Sequence, residues 1–358
     1  MLILTIFGES HGICIGCVLD GCPAGLALTE VDVQKELDKR KPSDLYISTK
    51  RREPDCVEIL SGLYGGRTTG APICMITRNR DVDSRLYEAF SRIPRPGHAD
   101  YPSYIKYHGY SDERGGGRFS GRITVAFAMA GAVAKKLLST INVEVLAHTI
   151  KIGKVEIHEK ISYDTIREKT YLSAVRCADP SASSAMEKEV LDAKNEGDSV
   201  GGIVEGIALN VPIGFGNPIF GSLDSEIAEM LFSIPGVKGV EFGAGFRSAS
   251  LKGSENNDPY GVESGRITLL SNNSGGVLGG LSSGMPLIVR VAFKPTPSIS
   301  KRQKTVDLRT MNQVETKFGG RHDPCIVPRA VPVVESCLSL VLADHAIMSG
   351  KMPILTEK

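Results

Sequence analysis

Two apolar segments of helical length, each preceded by Gly-Gly-Arg, constrain the fold of this chain more than any other feature of its sequence. Residues 116–118 lead into the first, at about 122–139, and residues 319–321 lead into the second, at 330–348. A strand ending in a Gly/Pro turn likewise precedes a shorter helix in each half, with turns at 20–25 and 210–214. This order predicts an internal duplication, in which two strand–helix halves face each other; chance resemblance between Gly/Pro turns is the alternative.

The remaining hydrophobic periodicity predicts alternating strands and helices. The first predicted helix begins at Thr29, with Asp32 as its capping partner, and ends near Arg40. The other predicted helices span about 122–139, 184–196, 223–233 and 330–348. The predicted strands lie near 2–7, 13–20, 57–60, 72–77, 201–211, 266–270 and 286–293. No low-complexity linker divides the 358 residues. We therefore expect one α+β domain over 1–358, with pseudo-repeats at roughly 1–150 and 200–350.

Charge and composition exclude several classes of function. The net charge is +1, so bulk electrostatic attraction to nucleic acid or to a membrane is not expected. Aromatic residues are only 6% and Trp is absent, whereas RNA readers interleave basic residues with exposed aromatics. No signal peptide is evident, and we find no apolar run near the ~18 residues that span a bilayer. We therefore expect a cytoplasmic protein that binds neither nucleic acid nor membrane.

Cysteine spacing gives little support for a metal site. Cys14 and Cys17 form a CxxC, but no second Cys or His pair follows at zinc spacing. The surrounding segment is typical of a buried strand, in which Cys behaves as a small hydrophobe. We expect no metal and no disulfide framework.

Basic residues gather in short stretches that suit a small polyanion. Arginine binds phosphate and carboxylate groups bidentately, and a helix that opens beside such a stretch adds its free N–H groups. The alternative for any single arginine is a solvated surface charge. The stretches are 39–41, 50–52, Arg92 with Arg95, and Arg114 with Arg118 and Arg122 around a glycine triplet.

Three of the seven histidines, His11, His98 and His322, lie in polar Gly/Pro-rich turns, where catalytic groups are often placed. Residues 8–12, Gly-Glu-Ser-His-Gly, match the letters of a serine-hydrolase elbow. That elbow requires a strand, a turn and a helix, whereas a second strand follows here, so a hairpin is the better interpretation. His148, His158 and His345 are interpreted as structural, and His108 is left undecided.

Motifs in the same order along nearly the whole chain resemble the chorismate synthase family. The three leading motifs are residues 8–12 with 20–23, residues 95–101 with 115–122, and residues 319–325 with 329–332; residues 51–55, 237–243 and 274–280 are also family-like. Phe119, Ile123 and Tyr46 depart from the family pattern.

The resemblance implies a layered β-α-β sandwich with an internal duplication, assembled as a homotetramer. It implies a lyase that eliminates phosphate from 5-enolpyruvylshikimate 3-phosphate with anti-1,4 geometry to give chorismate, the last common step towards aromatic amino acids. It also implies a requirement for reduced FMN without net redox change.

The resemblance assigns roles residue by residue. His11 matches the acid that donates to the leaving phosphate, His98 the residue that steadies the charge of the flavin, and Asp323 the residue that assists removal of the ring proton. The implied substrate-binding residues are Arg40, Arg51, Arg95, Ser120, Arg122 and Arg321. The implied flavin contacts are Arg118, Phe119, Ser120, Pro235, Gly236, Gly279, Lys294, Pro295, Thr296, Pro297, Ser298 and Arg321.

Two alternatives stay open at this stage. A bifunctional enzyme would also reduce its own flavin with NADPH, but no Gly-x-Gly-x-x-Gly follows a strand and no long inserted segment is present. A single activity supplied by an external flavin reductant is therefore favoured. The alternative from another class is a non-catalytic protein that binds anions or RNA.

Overall fold

Two antiparallel sheets enclose a layer of helices. The structure is a computed structural model that describes residues 1–41, 47–48, 53–81, 92–318 and 323–355. Its helices are α1 (Glu30–Lys39), α2 (Asp100–Lys106), α3 (Thr124–Ser139), α4 (Tyr163–Lys169), α5 (Pro180–Asn195), α6 (Leu223–Phe232), α7 (Gly253–Asn256) and α8 (Val327–Met348).

The strands in the first part of the chain are β1 (Ile3–Gly8), β2 (Cys14–Asp20), β3 (Val57–Ile59), β4 (Leu63–Tyr64), β5 (Arg67–Thr68), β6 (Ile73–Arg78), β7 (Glu144–Ile152) and β8 (Val155–Glu156). Those that follow are β9 (Gly202–Leu209), β10 (Val237–Phe242), β11 (Tyr260–Glu263), β12 (Arg266–Leu269), β13 (Val277–Leu278), β14 (Leu281–Ser282), β15 (Leu287–Phe293), β16 (Gln303–Asp307) and β17 (Asn312–Thr316).

The two sheets repeat one strand order. The first is β1-β2-β6-β3 and the second contains β7-β9-β15-β10, with β8 added beside β7. In the first set, α1 follows β2 along the chain, and the long helix α3 follows β6, which pairs with β2. In the second set, α6 follows β9, and the long helix α8 follows β15, which pairs with β9. All these pairs are antiparallel. The predicted layered α+β architecture is confirmed, and this shared order supports the duplication.

The bounds of the two repeats stay a prediction, as does the single-domain assignment. Strand β7 begins the second set of strands, and it crosses the boundary that we expected at about residue 150. The sequence analysis missed this strand because polar residues interrupt its apolar pattern. One of them, His148, faces Glu205 on β9, where the two side chains lie 3.5 Å apart.

Helix α1 begins where its capping residues predict. Thr29 and Asp32 form a capping box: the Asp32 N–H donates to Thr29 Oγ1 over 3.4 Å, and the Thr29 N–H donates to Asp32 Oδ2 over 2.9 Å. Val33 and Leu37, one helical turn apart, are buried towards the core. The helix therefore delivers its C-terminal residue, Arg40, to a defined place.

The helices α3 and α8 form the centre of the molecule. They pack against each other, with α1 beside α3 and α6 beside α8. Their approach is close at Gly131, where an added Cβ would lie 2.3 Å from Ser336 Cβ. Helix α8 starts at Val327, earlier than the predicted 330, since a proline is favourable in a first helical turn.

Helix α8 also corrects one expectation. It is long and apolar enough to cross a membrane by length and composition, although the sequence analysis found no such run. Of its most apolar window, 83% is buried inside the protein, which is typical of a core helix.

The predicted hairpin at residues 8–12 is confirmed. Strands β1 and β2 pair antiparallel from Ile3↔Asp20 to Gly8↔Ile15, so the serine-hydrolase elbow is excluded. Cys17 lies fully buried on β2, and burial raises the pKa of its thiol to about 12. Such a thiol is an inert core residue. Among the described residues, no group of three or more Cys, His, Asp or Glu is arranged to hold a metal ion.

Candidate active site

A cavity of about 650 Å³ lies where the two halves meet. Equivalent elements of each half supply its walls: the C-terminal ends of α1 and α6, and the N-terminal ends of α3 and α8. Turns between these elements complete the lining. Because helix N-termini carry unsatisfied N–H groups, α3 and α8 both favour an anion in this space.

The glycine triplet 115–117 brings two predicted catalytic histidines together. All three glycines have positive φ, which residues with a side chain rarely adopt. A Cβ on Gly115 would lie 2.4 Å from His11 Cδ2, and a Cβ on Gly116 would lie 3.3 Å from His98 Nε2. The triplet therefore separates two imidazoles that both line the cavity.

His98 is held by a buried ion pair. Its Nδ1 lies 2.6 Å from Asp100 Oδ1, which fixes Nδ1 as the donor. Arg95 grips the same carboxylate, with Nε donating to Oδ2 and Nη2 to Oδ1, each over 2.8 Å. Burial of Asp100 acts to raise its pKa, but the hydrogen bonds from Arg95 and His98 outweigh it and hold that pKa well below its usual range. Asp100 is therefore ionised at neutral pH.

Arg40 and Arg122 share a buried carboxylate. Arg40 Nη1 lies 3.3 Å from Asp55 Oδ2, and Arg122 Nη1 lies 2.5 Å from Asp55 Oδ1. Burial and the neighbouring Arg329 lower the pKa of Arg40 to about 9. The Arg40 guanidinium therefore remains charged at neutral pH. One carboxylate between two arginines leaves a net positive charge facing the cavity.

Asp323 lies just before α8 and lines the same cavity. Its Oδ2 accepts a hydrogen bond from Arg329 Nη1 over 2.8 Å. Arg329 Nε is buried without a hydrogen-bond partner among the described residues. Arg329 lies within a family-like motif, but no role was predicted for it, because its partnership with Asp323 depends on the turn of the helix between them.

One wall of the cavity is apolar and comes from the second half. Its residues are Phe232, Ile234, Pro235, Val237, Phe293 and Ile326. Beside it, residues 294–298 run along the rim, where Lys294 Nζ donates to the Gly97 carbonyl over 2.5 Å and Arg95 Nη1 donates to Ser298 Oγ over 3.3 Å. Thr296 Oγ1 is buried and has no hydrogen-bond partner among the described residues. A polar atom in this state is available to a ligand.

The cavity concentrates positive charge. Among the described residues that line it, eight are Lys or Arg and three are Asp or Glu. The whole chain has a net charge of +1, so this excess is local. The basic lining residues are Arg40, Lys41, Arg95, Arg118, Arg122, Lys238, Lys294 and Arg329.

Most of the predicted site residues line this one cavity, although their contacts with ligands stay predictions. They are His11, His98, Asp323, Arg40, Arg95, Ser120, Arg122, Arg118, Phe119, Pro235, Gly236, Lys294, Pro295, Thr296, Pro297 and Ser298. Arg51, Arg321, His322 and the variant position Tyr46 lie outside the described residues. Gly279 lies in the turn between β13 and β14 and does not line the cavity, so its flavin contact also stays a prediction.

The residues that hold other site residues in place were not predicted from the sequence. Asp55 and Asp100 each occur in a family-like motif, yet nothing in their local sequence shows which guanidinium or imidazole they meet. Asn79 lies outside every motif, although its side chain contacts the His11 turn and Arg122. For Asp100 alone a local signal was available, since it is an acid two residues from the predicted catalytic residue His98.

Comparisons with known proteins agree on one family. The family model described as chorismate synthase matches residues 2–347. A chorismate synthase of Korarchaeum cryptofilum is 54% identical over 348 residues, covering 97% of this chain and 96% of that protein. One of Methanocaldococcus jannaschii is 50% identical, covering 98% and 96%.

A solved structure, described as the crystal structure of chorismate synthase, superimposes with a TM-score of 0.76 at 32% identity. It covers 97% of this chain and 92% of that chain. The match therefore extends through both sheets, the helix layer and the cavity between the two halves. With the family model and the relatives agreeing over almost the full length, this chain belongs to the chorismate synthase family.

Proposed function

We propose that this chain catalyses the anti-1,4-elimination of phosphate from 5-enolpyruvylshikimate 3-phosphate to give chorismate, with a requirement for reduced FMN. A C–O bond to phosphate and a ring C–H bond break, and a new C=C bond forms, so there is no net redox change. The names of the relatives support the reaction. The excess of cationic side chains around one cavity carries the proposal.

The charge of the cavity matches the charge of the substrate. The substrate has one phosphate and two carboxylates, and each needs a desolvated cationic partner. Arg40 and Arg122 are nearly buried, line the cavity and share Asp55, so both guanidinium groups are held in place. Preorganised guanidinium groups bind an anion without first losing side-chain freedom. Arg51 and Arg321 are proposed for the same role by resemblance.

The second half of the lining fits a flavin. An apolar wall from Phe232 to Val237 suits a flat ring system, and Thr296 Oγ1 offers a hydrogen bond beside it. The cavity lies within the range of about 300–1,000 Å³ usual for ligand sites. When bound, reduced FMN supplies electron density to the substrate as the C–O bond breaks. Residues 294–298, Arg118, Phe119, Ser120, Pro235 and Gly236 would hold it, with Gly279 and Arg321 proposed by resemblance.

Three residues carry the proton and charge chemistry. The imidazole of His11 donates a proton to the leaving phosphate, since its place against Gly115 leaves the ring facing the cavity. His98, with Nδ1 fixed on Asp100, presents Nε2 beside Gly116 and steadies negative charge on the cofactor. Asp323, oriented by Arg329, assists removal of the ring proton. General acid–base groups of this kind contribute roughly 10²–10⁴-fold.

The reduced cofactor is proposed to come from a separate reductant in the cytoplasm. The alternative, an enzyme that reduces its own flavin with NADPH, is not supported by the comparisons. The Korarchaeum relative, of which 96% is covered by this chain, is described only as a chorismate synthase.

A homotetramer is proposed for the assembled enzyme. Large apolar side chains are exposed on the β11–β12 hairpin, where Tyr260, Val262 and Ile267 are each more than 70% accessible. Apolar side chains grouped in this way mark surfaces that associate. The number of subunits, four, is implied by the resemblance to the chorismate synthase family.

The proposed reaction is tested by anaerobic assay. Protein, FMN and 5-enolpyruvylshikimate 3-phosphate are mixed, the flavin is reduced, and phosphate release and chorismate absorbance are followed together. His11→Ala and His98→Ala should each lower kcat by roughly 10²–10⁴-fold, because each removes a proton or charge partner. His158→Ala, at an exposed position outside the cavity, is the matched control and should retain the wild-type rate.

Two outcomes would contradict the proposal. Turnover without flavin, or with oxidised flavin only, would remove the cofactor from the reaction. Wild-type rates in both histidine variants, with melting temperatures unchanged, would remove these imidazoles from it.

A further inference from the structure

Asn79, directly after β6, lies outside the cavity lining but contacts two parts of the site. Its Nδ2 donates to the carbonyl oxygens of Glu9, over 3.1 Å, and Gly12, over 2.8 Å. These carbonyls lie on either side of His11 in the turn between β1 and β2. The backbone N–H of Asn79 donates to the carbonyl of Ile13 over 3.1 Å. Asn79 thus holds the turn that carries the proposed proton donor at three places.

The other end of the same side chain contacts a proposed substrate-binding residue. Asn79 Oδ1 accepts a hydrogen bond from Arg122 Nε over 3.2 Å. Arg122 also pairs with Asp55, which pairs with Arg40. A continuous chain of hydrogen bonds and ion pairs therefore runs from the His11 turn through Asn79 to both buried arginines.

The chemistry of this position requires an amide. Two carbonyl oxygens on one side need donors, and a guanidinium on the other side needs an acceptor. Aspartate offers only acceptors, serine is too short to reach both sides, and an apolar residue offers neither. This network also fixes the amide orientation, with Nδ2 towards the turn and Oδ1 towards Arg122.

We propose that Asn79 is a positioning residue, which fixes the His11 imidazole relative to the Arg122 guanidinium. The leaving phosphate must meet both groups at once, since one donates the proton and the other balances the charge. A displacement of about 1 Å between them can lower a rate by about 10²-fold. This inference rests on the proposed function, because it gives the separation of the two groups a chemical purpose.

The decisive variant is Asn79→Asp. It keeps the acceptor for Arg122 but removes both donors to the His11 turn. We expect kcat to fall by roughly 10–100-fold while KM changes by less than about threefold. Asn79→Ala frees Arg122 as well, so KM should also rise, and calorimetric affinity for inorganic phosphate should weaken.

The matched control is Asn210→Asp. Asn210 Nδ2 also donates to a backbone carbonyl, that of Asn142, over 3.1 Å, but far from the cavity. This control makes the same chemical change and should leave kcat and KM unchanged. If Asn79→Asp does not fold, Asn79→Ser takes its place with the same expectation for kcat.

A double-mutant cycle separates positioning from general stability. In a His11→Ala background, Asn79→Asp should lower the residual rate by less than about twofold, because the group that it positions is gone. An equal loss in both backgrounds, or a wild-type kcat in Asn79→Asp, would overturn the proposal. The calorimetric measurement of phosphate affinity does not depend on turnover. It still tests the link between Asn79 and Arg122 if the wild type forms no chorismate.

Discussion

The absence of Cβ atoms at Gly115 and Gly116 leaves room for the two imidazoles of the site. The place that a side chain at Gly115 would occupy is filled by the His11 ring, and the place beside Gly116 faces His98. Positive φ at both positions lets the backbone pass between the rings without a side chain. The triplet therefore acts as a spacer whose function depends on missing Cβ atoms.

Gly115→Ala should therefore displace His11. The added methyl would overlap the ring, so we expect kcat to fall by roughly 10²-fold or more, measured in the anaerobic assay. Gly65→Ala is the matched control, because Gly65 has a similar φ and its Cβ would meet nothing within 4 Å. Both variants should lose roughly 1–2 kcal/mol of stability through backbone strain, whereas only Gly115→Ala should lose activity. Equal activities in the two variants would show that the overlap is relieved without moving His11.

The roles of single residues could be predicted only where the signal is local. His11, His98 and Asp323 were found because each lies in a polar turn within a family-like motif, and all three line the cavity. The roles of Asn79 and Arg329 were not predicted, because they depend on the residues that these two side chains contact. Asn79 and Arg122 are 43 positions apart in sequence, and nothing in the sequence alone shows that they meet.

At the scale of elements, the packing of α3 against α8 lies at the centre of the molecule. These helices approach so closely at Gly131 that a methyl group has no space beside Ser336. Small residues at a helix crossing allow the backbones to come together. The N-terminal ends of both helices also line the cavity.

Gly131→Ala should separate the two helices. Overpacking typically costs about 1–3 kcal/mol, and the better helix propensity of alanine offsets up to ~1 kcal/mol of that cost. We expect a net loss of unfolding free energy, measured by urea denaturation. Gly253→Ala, at a helical position with nothing within 4 Å of its Cβ, is the control and should change stability by less than ~0.5 kcal/mol. An unchanged midpoint in Gly131→Ala would show that α3 and α8 can shift apart freely.

Elements with strong signals were predicted closely. The capped helix α1 and the apolar helices α3 and α8 lie within a few residues of their predicted ends. Strands β7 and β10 were not predicted, because polar residues interrupt the alternation of apolar residues in them. Pairing with neighbouring strands stabilises them instead.

At the scale of the whole molecule, exposed apolar residues are grouped outside the cavity. Val262 and Ile267 lie opposite each other on β11 and β12 and are mostly accessible. In a homotetramer we expect this hairpin to be covered by another subunit. Val262→Asp with Ile267→Asp should then lower the mass measured by light scattering, because two charges would be desolvated in the interface.

Leu172→Asp is the control for that experiment. Leu172 is 84% exposed but lies on a different part of the surface, in the segment after α4. Its substitution should leave the mass unchanged. A monomeric wild type would contradict the proposed assembly, and a tetrameric double variant would place the interface elsewhere.

The repeated strand order has a consequence for how such a site arises. Matching elements of both halves reach the same cavity, but they no longer contribute the same chemistry. The first half supplies both histidines and most of the cationic side chains, whereas the second supplies the apolar wall. Two copies of one ancestral unit, once joined in a single gene, are free to diverge separately. A symmetric dimer of identical copies would have to accept each substitution on both sides. In such a fusion, one copy can specialise in cationic side chains while the other specialises in apolar ones.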